Sequence, residues 1–508
     1  MNGRDWTANP WLVGLLVLAL GAPCAVAVAE DPPSAAAGEK KGPEMSPAAR
    51  ILPGTPGAES FGPEPSYDLP YDADAQLAIY GDKHMNRTSF PPLDLGLQLY
   101  ERGAYEPRPT WFGAKNPMMS ALMAYGDLRV GGTQYDNGVP AANGKTDHTT
   151  VAARLNLDVD WAMTATERIH AFVRPLDKNG AFTSYQFGGG VKDRFGNESN
   201  VNLRTLFFEG DLGAIAAGWS GTTNRYDVPI AVGRVPIATQ NGIWIDDAFD
   251  GLAVGLVTAK NSPAHDISNM DLTLFAGFNN VTTAAVPGKD RSSIFGLAGF
   301  ADALKGHVEW GYGYVAADDH DLSYHNLTAA FSRRYLGRVS NSVRLIGNFG
   351  QKGISGQKTA DGLLVLVENS LITSQPSVLV PYVNLFAGFK SPQSLARSAD
   401  SGGVLRNTGF NFESDGLTAY PTLDATAHDS YGGALGLEYL FSLNRQIVVE
   451  GTVVERRGAS ALGNQYALGA RYQHPISNAW IVRLDAMRGW RQGLKDVYGV
   501  RVEIRRKF

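Results

Sequence analysis

The chain carries a single cysteine, Cys24, in 508 residues. That cysteine lies at the end of an apolar N-terminal run, so everything beyond it is free of thiols. Disulfides, cysteine-ligated zinc and thioether-linked haem are therefore excluded there. Pro23 occupies the position where a lipid-attachment site places a small residue, so Cys24 makes a poor lipid anchor. Charge is also scarce: Asp, Glu, Lys and Arg make up 19% of the chain, against roughly 25% in an average soluble domain. The net charge of −5 lacks the strongly basic face of a nucleic-acid binder. Beyond the N-terminal run, no stretch approaches the roughly eighteen consecutive apolar residues of a membrane-crossing helix. The nine histidines are scattered without metal-ligand spacing. Gly218-Trp219-Ser220-Gly221 is not a nucleophile elbow, and Gly188-Gly189-Gly190 lacks the Lys-Ser/Thr step of a phosphate loop. Neither a catalytic residue nor a metal nor a cofactor is expected.

What the chain has in quantity is alternation. Val151, Ala153, Leu155, Leu157, Val159, Trp161 and Met163 take one parity, while Arg154, Asn156, Asp158 and Asp160 take the other. Period two puts these sets on opposite faces of a strand. The pattern recurs at Met270–Phe278, Val308–Ala316, Tyr431–Phe441, Tyr466–Tyr472 and Trp480–Ala486. Aromatics such as Trp161, Tyr335, Phe441, Tyr472 and Trp480 gather near the strand ends, as in the girdles of a membrane barrel. Tight connections (Asp211–Ala214, Ser442–Asn444, His474–Asn478) alternate with long polar ones (Gly132–His148, Gly188–Asn200, Lys390–His428). A spanning chain without apolar helices must close its hydrogen bonds between strands, and a closed barrel does so. The expected fold is all-β, a closed antiparallel transmembrane barrel. At ~21–25 residues per strand with its connection, residues 118–508 allow about 16–18 strands. Such a barrel is wide enough for an aqueous lumen.

The segments before the barrel read differently. Residues 1–29 have the form of a secretory signal, with an apolar run from Trp11 to Ala22 and the small-residue site Ala27-Val28-Ala29. Residues 30–65 are rich in Pro, Ala, Gly, Lys and Glu, the composition of a disordered leader on the periplasmic side. Residues 66–117 are punctuated by aromatics and are expected to order by packing on the periplasmic mouth or in the lumen. Short helices are expected at Ala75–Tyr80 and Leu93–Tyr100.

The last strand carries a family likeness. From Tyr498 through Val500, Val502 and Ile504 to Phe508 one face is apolar and aromatic apart from Arg506, while Arg501, Glu503 and Arg505 alternate with it. A chain ending in such a strand resembles the closing strand of a bacterial outer-membrane β-barrel. The resemblance implies location in the outer membrane of a Gram-negative bacterium. It also implies contact with lipid and lipopolysaccharide, and reading of Tyr498, Val500, Val502, Ile504 and Phe508 by the barrel assembly machinery.

The inward faces carry the candidate chemistry. Arg154, Asp158, Asp160, Glu438, Glu450, Arg471, Arg483, Asp485, Arg501, Glu503 and Arg505 fall on polar parity and are expected to line the pore, where an excess of arginine favours anions. The competing reading is that these charges pair across strands and pack the wall. Arg488, Arg491, Arg506 and Lys507 are assigned to lipid headgroups near an interface. In Ile230–Val257, Gly233-Arg234 and Phe249-Asp250-Gly251 resemble a run of the alginate-export family of outer-membrane barrels, which implies that Arg234 lies inside the pore. Asp246 and Asp247 in the same stretch are read as turn-forming carboxylates in preference to calcium ligands. The function expected is a porin-type channel for small solutes. The alternatives are an exporter of an anionic polysaccharide, with residues 66–117 or 390–428 as plug, and a structural or partner-binding barrel.

Overall fold

A computed structural model describes residues 91–95 and 107–508, apart from 117, 119, 141–144, 179, 188–192, 223, 225, 258–266, 287–290, 377, 399–400, 414–415, 443–444, 459–461 and 478. The signal-like segment 1–29, the leader 30–65 and most of 66–117 lie outside the described residues.

Eighteen strands form the wall. β1 (Ala121–Asp136), β2 (Asp147–Ala162), β3 (Arg168–Val173), β4 (Leu203–Asp211), β5 (Pro229–Thr239) and β6 (Ile245–Val257) come first. β7 (Ile267–Asn279), β8 (Ser292–Ala303), β9 (Gly306–Ala317), β10 (Tyr324–Tyr335), β11 (Val339–Phe349) and β12 (Asp361–Leu371) follow. The last are β13 (Leu379–Ser391), β14 (Ser430–Ser442), β15 (Arg445–Arg456), β16 (Gln465–Pro475), β17 (Trp480–Arg491) and β18 (Val497–Lys507). Each pairs antiparallel with the next. β18 pairs with β1 from Tyr498↔Asp136 to Lys507↔Asp127, closing the sheet into a barrel. Phe508 extends that seam: its N–H donates to the Gly126 carbonyl, and its own carbonyl accepts from the Gly126 N–H, each at 3.0 Å.

The alternation resolves into an inverted protein. In β18 Val500 is 57% exposed while its neighbour Arg501 is 3% exposed. Val151, Leu252, Leu327, Leu435 and Leu468 repeat this exposure around the ring. A continuous apolar outer band of this kind suits a hydrocarbon surround and not water.

Connection lengths distinguish the two ends. The two longest, 174–202 and 392–429, follow odd-numbered strands, while the two- and three-residue turns 304–305 and 336–338 follow even-numbered ones; 212–228, which holds a helix, is the one long connection at the turn end. Phe508 lies at the turn end. One expected tight turn is instead helix α1 (Leu212–Ser220). Asp211 caps it, accepting from the Ala214 N–H at 2.6 Å, and Gly221 ends it with φ 67°. A left-handed C-cap of this kind favours glycine. Likewise Leu93–Leu95 is extended and not helical, pairing with β1 at Leu122–Ala124 below the chain terminus. The hairpin Arg108–Thr110/Gly113–Lys115 packs on α1 from outside the barrel, where Phe112 stacks on the outward Phe208 at 5.5 Å. Lys115 donates to Glu167 at 2.9 Å, both side chains buried.

The long connection 392–429 lies inside the lumen. Ala396 and Arg397 pair in parallel with Ile245 and Asp246 of β6, and Asn411 bonds Glu450 and Thr452 of β15. Its Leu395, Leu405, Phe412 and Leu423 join Trp244 of the turn before β6 and Phe249, Ile346, Leu364, Phe386 and Val454 of the wall in the main buried cluster. The wall makes room where glycines face in. A Cβ on Gly313 would sit 2.4 Å from Leu395, and one on Gly469 would sit 2.3 Å from the Asn411 side chain.

Candidate functional site

Barrel closure brings together charges that lie far apart in sequence. Register pairs Arg483 with Glu503, Asp485 with Arg501, and Arg505 with Arg129, which is in turn opposite Arg154. All share the parity that points away from the exposed Val500, Val502 and Leu484. They therefore form one inward patch on β16, β17, β18, β1 and β2.

Asp485 is its centre. The carboxylate accepts from Arg471 Nε at 2.6 Å, Arg483 Nε at 3.1 Å and Arg501 Nη2 at 2.7 Å, with 1% of the side chain exposed. A lone carboxylate this buried would be costly, and three guanidinium donors offset the loss of water. Glu503 is held bidentately by Arg129, Oε1 at 3.0 Å from Nε and Oε2 at 2.7 Å from Nη2. Arg505 reaches Asp127 at 2.8 Å. Arg154 donates to Asn156 at 2.8 Å and lies over the Phe182 ring. Cross-strand pairing does occur, as the competing reading held, yet positive charge remains in excess. A recess of about 140 Å³ is lined by Arg129, Arg154, Arg406, Arg483 and Arg505 with only Glu413 and Glu503 as acids.

The long loop supplies part of this patch. Glu413 accepts from Arg471 at 2.5 Å, Arg471 lies 5.1 Å from the Phe410 ring and Arg501 5.1 Å from the Tyr420 ring. Arg397, which donates to the carbonyls of Gly242, Ser401 and Gly402, fastens the other side of the loop. Burial pushes its pKa down to about 10 despite the nearby Asp246.

Glu450 takes a different part. It faces in but is fully buried, accepting from the Phe410 and Asn411 N–H groups at 3.0 and 2.9 Å and from the Tyr382 hydroxyl at 2.5 Å. It holds the loop and meets no open lumen. Glu438 faces in, half-buried, on β14. Asp158 and Asp160 face in nearer the turn end, where Asp160 lies 3.7 Å from His170 and 4.0 Å from Arg168. Across the lumen from the arginines, Ser332, Ser340, Ser342 and Asn384 line a second recess together with Glu309 and the ion pair Arg344–Glu368, 2.6 Å apart.

Arg234 is misplaced by the sequence reading. It shares parity with the exposed Val232 and Pro236, its register partners are Leu206 and Asp250, and so it lies on the outer face. There it donates to Asp250 at 2.8 Å, and Asn280 donates to the same carboxylate at 2.6 Å. The arginine inside the pore that the alginate-export resemblance implied is therefore not there, and that resemblance is not supported. Arg491 and Lys507 also take inward parity, away from the headgroup positions expected of them. Asp247 lies in β6 and not in a turn, and its carboxylate accepts from the backbone N–H groups of Ala248 and, 35 residues on, Thr282.

Sequence reasoning missed Asp127, Arg129, Arg406, Glu413 and Tyr382. The first two stand at alternate positions of β1 and were open to the same period-two argument; the loop residues obey no period.

No family model matches the chain, and no curated protein matches it. Among solved structures the barrel is similar to the outer membrane protein OpdK of Pseudomonas aeruginosa, at 12% identity over 76% of this chain and 98% of that one, with TM-score 0.49. It is similar to OccK3 (OpdO) of the same organism at 10% identity over 76% and 95%, TM-score 0.47. OccK2 (OpdF), solved in complex with glucuronate, gives 11% identity over 76% and 96%, TM-score 0.46.

Proposed function

We propose that the chain is an outer-membrane channel that passes small anionic solutes by passive diffusion. The observation that carries this reading is the arginine excess in the recess at Arg129, Arg154, Arg406, Arg483 and Arg505, set inside a barrel with an apolar outer band. Positive side chains in a confined, partly dehydrated passage attract anions and repel cations. Opposite, Ser332, Ser340, Ser342 and Asn384 offer neutral hydrogen-bonding partners to the rest of a polar solute, beside the paired Arg344 and Glu368 and the acid Glu309. In this orientation the turn end faces the periplasm, and lipid and lipopolysaccharide surround the outer band. The assembly machinery reads Tyr498, Val500, Val502, Ile504 and Phe508.

The test is the reversal potential of single channels in a planar bilayer under a salt gradient. Anion preference in the wild type, reduced in Arg483→Gln/Arg505→Gln, supports the proposal. Cation preference in the wild type sinks it.

A further inference from the structure

The outer face at the turn end of β14 to β18 carries two arginines seated on aromatic rings. Arg445 lies 4.7 Å from the Phe441 ring and donates from Nε to the Tyr472 hydroxyl at 3.0 Å. Tyr472 in turn stacks with His474 at 6.0 Å, and Phe441 meets Tyr439 edge-on at 4.8 Å. Arg506 lies 5.5 Å from the Trp480 ring, on the residue directly opposite it in the ladder. All these positions share parity with the exposed Leu437, Val449, Leu468, Leu484 and Ile504, so they border the apolar band at one level.

Charge at this border is one-sided. Among the described residues neither Arg445 nor Arg506 makes an ion pair. The one acid at an outward position of these five strands is Glu455, held at the loop end by Tyr431 and Tyr466 at 2.9 and 3.2 Å. A guanidinium on an aromatic face is fixed in orientation while its outer N–H groups stay available. Placed where hydrocarbon gives way to headgroups, such a group meets phosphate, which it binds in bidentate fashion.

We propose that Phe441, Arg445, Tyr472, Trp480 and Arg506 form a binding site for anionic phospholipid of the inner leaflet. Each guanidinium offers its outer N–H groups to headgroup phosphate, and the rings between them receive the glycerol backbone and upper acyl chains. This inference rests on the membrane-channel reading. It gives Arg506, the one charged residue on the apolar face of the closing strand, a ligand.

The test is native mass spectrometry of the full chain released from vesicles of equal phosphatidylglycerol and phosphatidylcholine. Wild type is expected to retain phosphatidylglycerol in preference, by about fivefold per arginine at the surface. Arg445→Gln/Arg506→Gln should lose that preference, and Arg445→Lys/Arg506→Lys should keep part of it. Arg457→Gln should leave it unchanged, because Arg457 lies over Phe389 at the opposite end. Heat-modifiable gel mobility verifies that each variant is folded. Equal retention of both lipids by wild type, or undiminished preference in the glutamine pair, overturns the site. Failure of the folded wild type to insert into vesicles of either composition overturns the membrane reading itself, and the site with it.

Discussion

Arg501 and Asp485 face each other directly across the β17–β18 ladder, Nη2 2.7 Å from Oδ2, both almost wholly buried inside a barrel whose outside is apolar. Arg471 and Arg483 share the same carboxylate. Asp485→Asn leaves these guanidinium groups without their common counter-charge, which costs about 3–5 kcal/mol by analogy with other broken buried pairs. The temperature at which gel mobility shifts from folded to unfolded should fall. Because positive charge is uncovered at the inner wall, anion preference in the reversal potential should rise in the same variant.

Glu450 holds the tip of the lumenal loop through two backbone N–H groups and the Tyr382 hydroxyl. Glu450→Ala removes these charge-assisted bonds, each worth roughly 1.5–3 kcal/mol. The loop should detach on that side while the ladder stays intact. Single-channel conductance should increase and become noisy, with unchanged heat-modifiable mobility. Gly469→Leu, which drives a side chain into Asn411 and Phe410, should produce the same conductance change by a steric route.

His428, near the end of the loop, bonds Gln393 at 3.0 Å, and its carbonyl accepts from Arg456 at 2.9 Å. Burial holds its pKa below the usual histidine value, with Asp424 opposing and Arg456 reinforcing the shift. The docked loop therefore prefers neutral His428. Its docking is at full strength above the ordinary histidine pKa of about 6.5 and weakens as pH falls through the lower docked value. Loop-dependent current fluctuations should become more frequent between pH 7.5 and 5.5, and His428→Gln should flatten that dependence.

Arg234 gives the opposite kind of expectation. As an outward residue paired with Asp250, both partly exposed, it contributes about 1 kcal/mol or less and nothing to the passage. Arg234→Gln should leave reversal potential and conductance at wild-type values. A shift comparable to that of Arg483→Gln/Arg505→Gln would place Arg234 in the lumen after all.

The wall was legible because period two is local: one pass along Val497–Phe508 or Val151–Met163 separates the apolar outside from the charged inside. Arg234 was misread for a physical reason. In β5 Val235 is buried and Ile237 meets the buried cluster while Ile230 and Val232 face out, so both faces are apolar and parity alone names neither. The loop's position was open only as a candidate, since its docking pairs Asn411 with Glu450 and Thr452 across a separation that no periodicity reports. Glu450 accordingly looked like any other inward charge. Helix α1 was missed because Leu-Gly-Ala-Ile-Ala-Ala-Gly reads as a small-residue turn until Asp211 and Gly221 are recognised as its caps.

The loop touches β6 at Ile245–Asp246 and β15 at Glu450, nine strands apart in either direction around an eighteen-strand ring. Those strands are diametrically opposed. A thin cylinder resists stretching along its hydrogen bonds but flattens readily under lateral pressure. A strut pinned on opposite walls blocks that flattening along its own axis. The loop thus braces the barrel along the diameter that joins β6 to β15.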